Sequence, residues 1–156
     1  MGTALALDSN KAKTLLFWIG LAIYVISFGL VAIVDYGRPV TGYGCAAWSI
    51  SAAHEIVRHF RNGYGTLPSA VESISITLTA LINVFFVLYA AASPFWVRKR
   101  LIMILRIAVL STIPFCWIVS YYESFHLREG HLLWILGMLL VLFSGFNVKE
   151  AKLATD

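Results

Sequence analysis

Charged side chains are scarce in this chain. They make up 13% of its 156 residues, and hydrophobic side chains make up 60%, whereas soluble proteins carry roughly 25% charged residues. The few charges cluster between long apolar runs instead of recurring along helix faces. Because an unpaired charge in hydrocarbon costs several kcal/mol, this distribution excludes an ordinary soluble domain. It indicates one integral membrane domain over residues 1–156.

Cysteine and catalytic motifs are nearly or wholly lacking. Cys45 and Cys116 permit one pairing at most, so a disulfide framework is excluded and two unpaired thiols are expected. No G-x-S-x-G, Walker loop or dinucleotide fingerprint occurs in the sequence. We therefore predict no catalytic residues, no enzyme activity and no cofactor. The net charge of +4 predicts no nucleic-acid binding, because the basic residues flank the apolar runs, where topology accounts for them.

Four apolar segments dominate the chain. The first has 21 residues without a charge, and a helix needs about 20 to cross the hydrocarbon core. The sequence predicts an all-α membrane protein, a four-transmembrane-helix bundle. Its spans are predicted at about residues 14–34, 70–95, 101–121 and 132–148.

The only long polar interruption, residues 36–68, lies between the first and second spans. Its glycines and Pro39 predict an irregular beginning, and apolar residues at steps of three and four predict a helix over residues 46–61. We expect this segment to form a short extramembrane helical cap. Its helix either lies in the membrane interface, with Trp48 and Phe60 toward lipid, or covers the end of the bundle.

Basic residues are distributed unequally between the two sides of the predicted bundle. One side has only four arginines, whereas the other has Arg98, Arg100 and all five lysines, namely Lys11, Lys13, Lys99, Lys149 and Lys152. Positive residues favour the cytoplasmic side. We therefore expect a multi-pass protein of the bacterial inner (plasma) membrane with both termini cytoplasmic and the cap outside.

All four histidines fall in the two predicted outer segments, and this predicts a candidate metal site. Imidazole and carboxylate groups bind zinc, copper or iron, and the candidate ligands are Glu55, His59, His126 and His131. The spacing argues against a simple motif, because His54 and His59 are five residues apart and diverge by roughly 140° on a helix. Ordinary hydrogen bonds at the interface are the favoured alternative.

Polar residues also occur inside two predicted spans. In the second span they form a stripe at steps of three, four and four, consisting of Glu72, Ser75, Thr79 and Asn83. Such a stripe should face the bundle instead of lipid. In the third span, Arg106 lies about 8 Å from the span's start at 1.5 Å per residue and is expected to extend its side chain to the cytoplasmic interface.

Three short motifs occur in order along the chain. They are Gly42-Tyr43-Gly44-Cys45-Ala46 after the first span, Leu81-Ile82-Asn83-Val84 in the second, and Gly130-His131-Leu132-Leu133-Trp134-Ile135-Leu136-Gly137 at the fourth. In this order the chain resembles small four-span bacterial inner-membrane proteins of unassigned function. The resemblance implies a topology and no activity, so no functional residue is carried over.

The sequence favours a non-enzymatic binding role within the bilayer. The leading hypothesis is a small accessory subunit of, or partner to, a larger membrane complex, or an immunity-type protein; a homo-oligomer is also compatible. One alternative is a membrane protein with the histidine and carboxylate metal site at its outer face. Another is a small oligomeric transporter that uses Glu72, Thr79 and Asn83.

Overall fold

The structure is a computed structural model that describes residues 2–62, 70–95, 99–122, 124 and 126–145. For residues 2–10, 59–60, 62, 70–72 and 122 it describes the backbone alone. The described part is mostly helical, as predicted. The helices are α1 (Gly2–Ser27), α2 (Gly42–Asn62), α3 (Ala70–Ala92), α4 (Lys99–Tyr122) and α5 (Glu129–Ser144). A three-stranded sheet that was not predicted joins them, with strands β1 (Val31–Asp35), β2 (Arg38–Thr41) and β3 (His126–Leu127).

The first predicted span, 14–34, was wrong in its last seven residues, because α1 ends at Ser27 and the chain continues as β1. The β-branched residues that follow favour an extended strand. A two-residue turn, Tyr36-Gly37, then reverses the chain, with φ of 45° and 79°. Positive φ at both positions is the mark of a type I′ hairpin, whose twist matches the flanking strands.

The predicted cap also differs from the structure at its beginning. The segment expected to be irregular forms the hairpin, and α2 begins at Gly42 instead of residue 46. Ile56 on α2 packs with Ile76 on α3 and Val119 on α4, and Trp48 packs against the same cluster. Helix α2 therefore covers the ends of α3 and α4, which agrees with the second of the two predicted placements. Residues 63–68 of the predicted cap lie outside the described residues.

The sheet joins the hairpin that follows α1 to the short strand that precedes α5. Strand β3 pairs antiparallel with β1, with Ile33 opposite Leu127 and Val34 opposite His126. The Arg128 amide donates a further hydrogen bond of 2.8 Å to the Ala32 carbonyl. The sheet consequently sits at the end of the helices where α1 finishes and α5 begins, which we call the sheet end.

Four helices, α1, α3, α4 and α5, contribute to one apolar core. Its buried members are Phe17, Tyr24, Ile82, Phe86, Tyr89, Val109, Ile113, Cys116, Ile135, Met138, Val141 and Leu142. Helix α1 packs mainly on α5, and α3 packs mainly on α4. The α1–α5 crossing is close, because a Cβ at Gly137 would lie 2.6 Å from the Tyr24 backbone nitrogen. Small residues permit such backbone approach.

Among the described residues, two helical segments are long and apolar enough to cross a membrane. They are Ser73–Ala92 and Lys99–Tyr121, with mean hydropathies of 2.1 and 2.2. The first lies within the predicted span 70–95, and the second overlaps the predicted span 101–121 but begins two residues before it. Helix α5 is shorter, with 16 residues, and ends at Gly145 in a left-handed conformation. Residues 146–148 of the fourth predicted span lie outside the described part of the chain.

Candidate functional site

A cavity of about 70 Å³ lies at the sheet end, lined by β1, by four helices (α2, α3, α4 and α5) and by Phe28, the residue that follows α1. Its lining residues are Phe28, Ala32, Ile33, Gly42, Cys45, Ala46, Trp48, Ser49, Thr79, Asn83, Cys116, Val119, Ser120, Gly130, His131 and Trp134. None of these side chains is acidic, and none is that of lysine or arginine. The cavity therefore combines apolar walls with neutral polar groups, which is the usual composition of a small-molecule site.

Asn83 is the polar centre of this cavity. Its Oδ1 accepts hydrogen bonds from the Tyr24 hydroxyl on α1, at 2.9 Å, and from Trp134 Nε1 on α5, at 3.1 Å. Because an indole nitrogen only donates, the group facing Trp134 must be the amide oxygen. This fixes the orientation of the amide and leaves its Nδ2 donors directed away from both partners. One side chain of α3 thus holds α1 and α5 together.

His131 lines the cavity from the first turn of α5, just before the predicted fourth span. Its side chain is 8% exposed, and Nε2 has no hydrogen-bond partner among the described residues. The ring lies 5.4 Å from that of Trp134. Burial lowers the pKa of His131 to about 4, because a low-dielectric environment disfavours the charged form. The imidazole is therefore neutral at pH 7.

The two cysteines line the same cavity, and both are free thiols. Burial raises the pKa of Cys45 to about 11, so this sulfur is a protonated thiol and a weak nucleophile. Thr79 lies close enough to Cys116 for its hydroxyl to interact with the thiol, but its buried Oγ1 forms no hydrogen bond of standard geometry within the described part of the chain. These groups offer neutral hydrogen bonds and no general acid–base pair.

The described members of the predicted metal site do not lie together in the structure. Glu55 is exposed on α2 and pairs with Arg58 at 3.4 Å, His126 is exposed on β3, and His131 is buried in the cavity. Within the described residues, no group of three or more potential ligands is close enough to hold a metal ion. The His59 side chain is not among those described, and a site built from all four residues stays a prediction.

The polar residues of the predicted second span lie on the covered side of α3. Ser75 is fully buried, and Thr79 and Asn83 line the cavity; the Glu72 side chain is outside those described. Arg106 lies near the opposite end of the helices, where its guanidinium sits 4.8 Å from the centre of the Phe143 ring. That is the geometry of a cation–π contact.

Several residues that line the cavity or hydrogen-bond to Asn83 were not singled out by the sequence pattern as site residues. Tyr24 and Trp134 look like ordinary aromatic residues of apolar segments, and Cys45 and Cys116 like unpaired thiols. Thr79 and His131 were predicted as candidate site residues and line the cavity, and so does Asn83, a strong hydrogen-bonding group inside a span. Its partners follow from how the helices pack, which the spacing of a single segment does not encode.

Comparison of the chain with protein-family models, with curated proteins and with solved structures finds no match. The basis for assigning a function is therefore the chemistry and surface of the chain itself. Two features stand out: the neutral cavity at the sheet end and the apolar outer faces of the helices that share the core.

Proposed function

We propose that this chain is a four-span integral membrane protein of the bacterial inner membrane, with both termini cytoplasmic. In this proposal it acts by binding, as a small accessory subunit of, or partner to, a larger membrane complex. The observation that carries the proposal is the pattern of exposure. The four helices that share the apolar core also expose large apolar side chains on their outer faces.

The exposed apolar residues occur on all four helices. They include Trp18 and Val25 on α1, Val84 and Val87 on α3, Ile104 and Ile107 on α4, and Leu132 and Phe143 on α5. Soluble monomers rarely expose contiguous apolar patches beyond a few hundred Å². In addition, only 28% of each candidate span is buried within the protein, whereas a core helix of a soluble domain is mostly buried. A bilayer accounts for these surfaces.

The binding role is supported by the neutral cavity and by the outer face of α2. That face combines polar groups, such as His54 and Arg58, with exposed apolar ones, such as Ile50 and Val57. A mixed face of this kind suits contact with a protein better than full immersion in lipid. The cavity, with neutral walls and a protonated Cys45 thiol, suits holding a ligand better than transforming one.

Reporter fusions test the topology. Alkaline phosphatase, which is active only outside the cytoplasm, is joined after residues 37, 98, 124 and 156 in four separate gene fusions. Activity is expected at 37 and 124 and absent at 98 and 156, with the reverse pattern from a cytoplasmic fluorescent reporter. Release of the intact chain from membranes by alkaline carbonate would contradict the proposal, since spanning helices resist that treatment.

Site-specific photo-crosslinking tests the accessory role at native expression level. A photoreactive amino acid replaces Val57, which is 62% exposed on α2, and Ile107, which is 57% exposed on α4, in two matched variants. One discrete protein adduct from either position, identified by mass spectrometry, is expected. Adducts to lipid alone from both positions would oppose the accessory role. Elemental analysis of the purified protein for zinc, copper and iron tests the metal alternative on the same samples.

A further inference from the structure

Polar groups that lack partners are concentrated in the cavity at the sheet end. The Nε2 atom of His131 and the Oγ1 atom of Thr79 are buried without a hydrogen bond among the described residues. Both hydrogen bonds to the Asn83 side chain end on Oδ1, so its Nδ2 group faces neither Tyr24 nor Trp134. Buried polar groups are nearly always paired in native proteins, so two unsatisfied groups in one cavity indicate that a ligand binds there.

The size and walls of the cavity restrict that occupant. A volume of about 70 Å³ admits on the order of five water-sized groups at 10–15 Å³ each. That is room for one small ring or a short chain segment and too little for a whole lipid. Three aromatic residues, Phe28, Trp48 and Trp134, line the space. Among the described residues the lining has no charged side chain, and burial keeps the pKa of His131 low, so these residues offer a charged ligand no counter-ion.

We propose that this cavity binds a compact neutral group that carries a carbonyl oxygen on an apolar body. The Asn83 Nδ2 donors hydrogen-bond to that oxygen, and the neutral His131 imidazole supplies a second hydrogen bond, while the aromatic residues contact the apolar part. Two membrane molecules offer this chemistry: the ring of a quinone and the ester linkage of a glycerolipid. The proposal does not depend on the accessory role, because it concerns a site within the chain itself.

Binding is measured on the purified protein in detergent with two probes, a short-chain ubiquinone analogue and dioctanoylglycerol. The readouts are tryptophan fluorescence, to which Trp48 and Trp134 contribute, and the thermal midpoint, which a ligand of the folded state raises. We expect saturable binding of at least one probe. Saturation by the quinone alone identifies a ring, and saturation by the glycerolipid alone identifies an ester. Saturation by neither, with the folded protein intact, overturns the proposal.

The discriminating variant is His131→Phe, which keeps an aromatic ring and removes both nitrogens. Loss of one hydrogen bond should weaken probe binding roughly tenfold. The ligand-free thermal midpoint should hold or rise, because the variant removes a buried polar atom that has no partner. A merely structural histidine would behave in the opposite way, with lower stability and unchanged probe affinity, and that result would overturn the assignment.

A second pair of variants tests whether the probe binds inside the cavity or on the outer surface of the protein. Ala46→Leu extends a side chain at the cavity wall and should abolish saturable binding while leaving Asn83 and His131 in place. Leu132→Ala truncates a side chain that is 61% exposed, next to His131 in sequence, and should leave affinity unchanged. Equal affinities in the wild type and Ala46→Leu would locate the probe elsewhere and overturn the proposal.

Discussion

The four helices that share the core form two pairs whose apolar segments differ in length. Helices α1 and α5 are the shorter pair, and α3 and α4 are the longer pair. In α1 the charge-free part runs from Thr14 to Ser27, 14 residues, or about 21 Å, and α5 has 16 residues, or about 24 Å. The candidate span of α3 has 20 residues and that of α4 has 23, or about 30 and 35 Å. Only the α3–α4 pair matches the roughly 30 Å hydrocarbon core by itself.

The contacts at Asn83 show where the difference in length is taken up. Asn83 lies 13 residues after the start of α3 at Ala70, whereas its partner Tyr24 lies three residues before the end of α1. At 1.5 Å per residue these distances are about 20 and 5 Å, so α3 extends roughly 15 Å past α1 at the sheet end. Trp134, five residues after the start of α5, leads to a similar offset.

The sheet and α2 occupy the space above the shorter pair. The hairpin continues directly from α1, β3 leads directly into α5, and α2 packs against the projecting part of α3. Because a sheet and a helix do not fill that recess completely, the cavity remains between them. The difference between the pairs thus explains why this fold has a cavity at this place. It also explains why the side chain that joins the pairs, Asn83, lines it.

The largest effect should come from separating the shorter pair at its glycine crossing. In Gly137→Leu the new Cβ meets the Tyr24 backbone nitrogen at 2.6 Å, so α1 and α5 must move apart, at a cost of about 3 kcal/mol. A thermal melt in detergent should show a much lower midpoint. Gly29→Ala is the matched control, since its Cβ would have only an ordinary 3.5 Å contact. Equal midpoints for the two variants would show that the crossing is not close.

The next largest effect should come from disconnecting the two pairs. Asn83→Leu leaves the Tyr24 hydroxyl and Trp134 Nε1 without their acceptor and should cost about 2 kcal/mol. Tyr24→Phe, which removes one of the two bonds, should cost about half as much. Tyr89→Phe is the control, because that hydroxyl donates a longer bond of 3.3 Å to the Leu142 carbonyl. Melting midpoints in the order Tyr89→Phe, Tyr24→Phe, Asn83→Leu, from highest to lowest, are expected; any other order would contradict the bridging role of Asn83.

The two pairs also differ in how well the sequence predicted them. The helices of the longer pair match the predicted spans 70–95 and 101–121 to within three residues at each end, because each is one apolar run with charges or glycine and proline at its ends. The first predicted span failed because Val31–Val34 continues the apolar run without a break. A short apolar run of β-branched residues does not distinguish helix from strand by periodicity.

The cavity was predictable only in part. The polar stripe through Thr79 and Asn83 indicated a covered polar surface on the second span. Its other walls come from segments far apart in the chain, such as Cys45, Cys116 and His131. They converge because α1 stops early and β3 pairs with β1, and neither event leaves a signal in the local spacing. The Tyr36-Gly37 turn was the one available indication of the hairpin.

A smaller loss of stability, of about 1 kcal/mol, should follow acidification of the solution, because of His131 in the cavity wall. The pKa of His131 is lowered from 6.5 to about 4, so the unfolded chain takes up a proton at higher pH than the folded protein. Its contribution to stability is therefore complete above pH 6.5 and is lost as the pH falls from 6.5 toward 4. Between pH 7 and 5.5 the loss is about 1 kcal/mol.

The variant His131→Phe isolates this contribution. Among the described residues, the other titratable side chains that line the cavity are the thiols of Cys45 and Cys116, and both are retained in the variant. His126 and Glu129 are exposed and contribute equally to both proteins. The melting midpoint of the wild type should fall more steeply between pH 7 and 5.5 than that of the variant. Parallel curves would mean that His131 is accessible to protons in the folded protein.

The last effect concerns the hairpin above the shorter pair. Two substitutions in its turn should change the stability of the protein in opposite directions. Tyr36 has φ of 45° and is 98% exposed, so Tyr36→Asn replaces a residue strained at positive φ by one that tolerates it, a gain of about 0.5 kcal/mol. Gly37→Ala, at φ of 79°, should act in the opposite direction and lose about 1 kcal/mol. If the hairpin only covers the cavity, both changes shift the melting midpoint and leave probe affinity unchanged. If the hairpin positions β1 against the cavity, affinity follows stability in both directions, and the sheet then belongs functionally to the shorter pair.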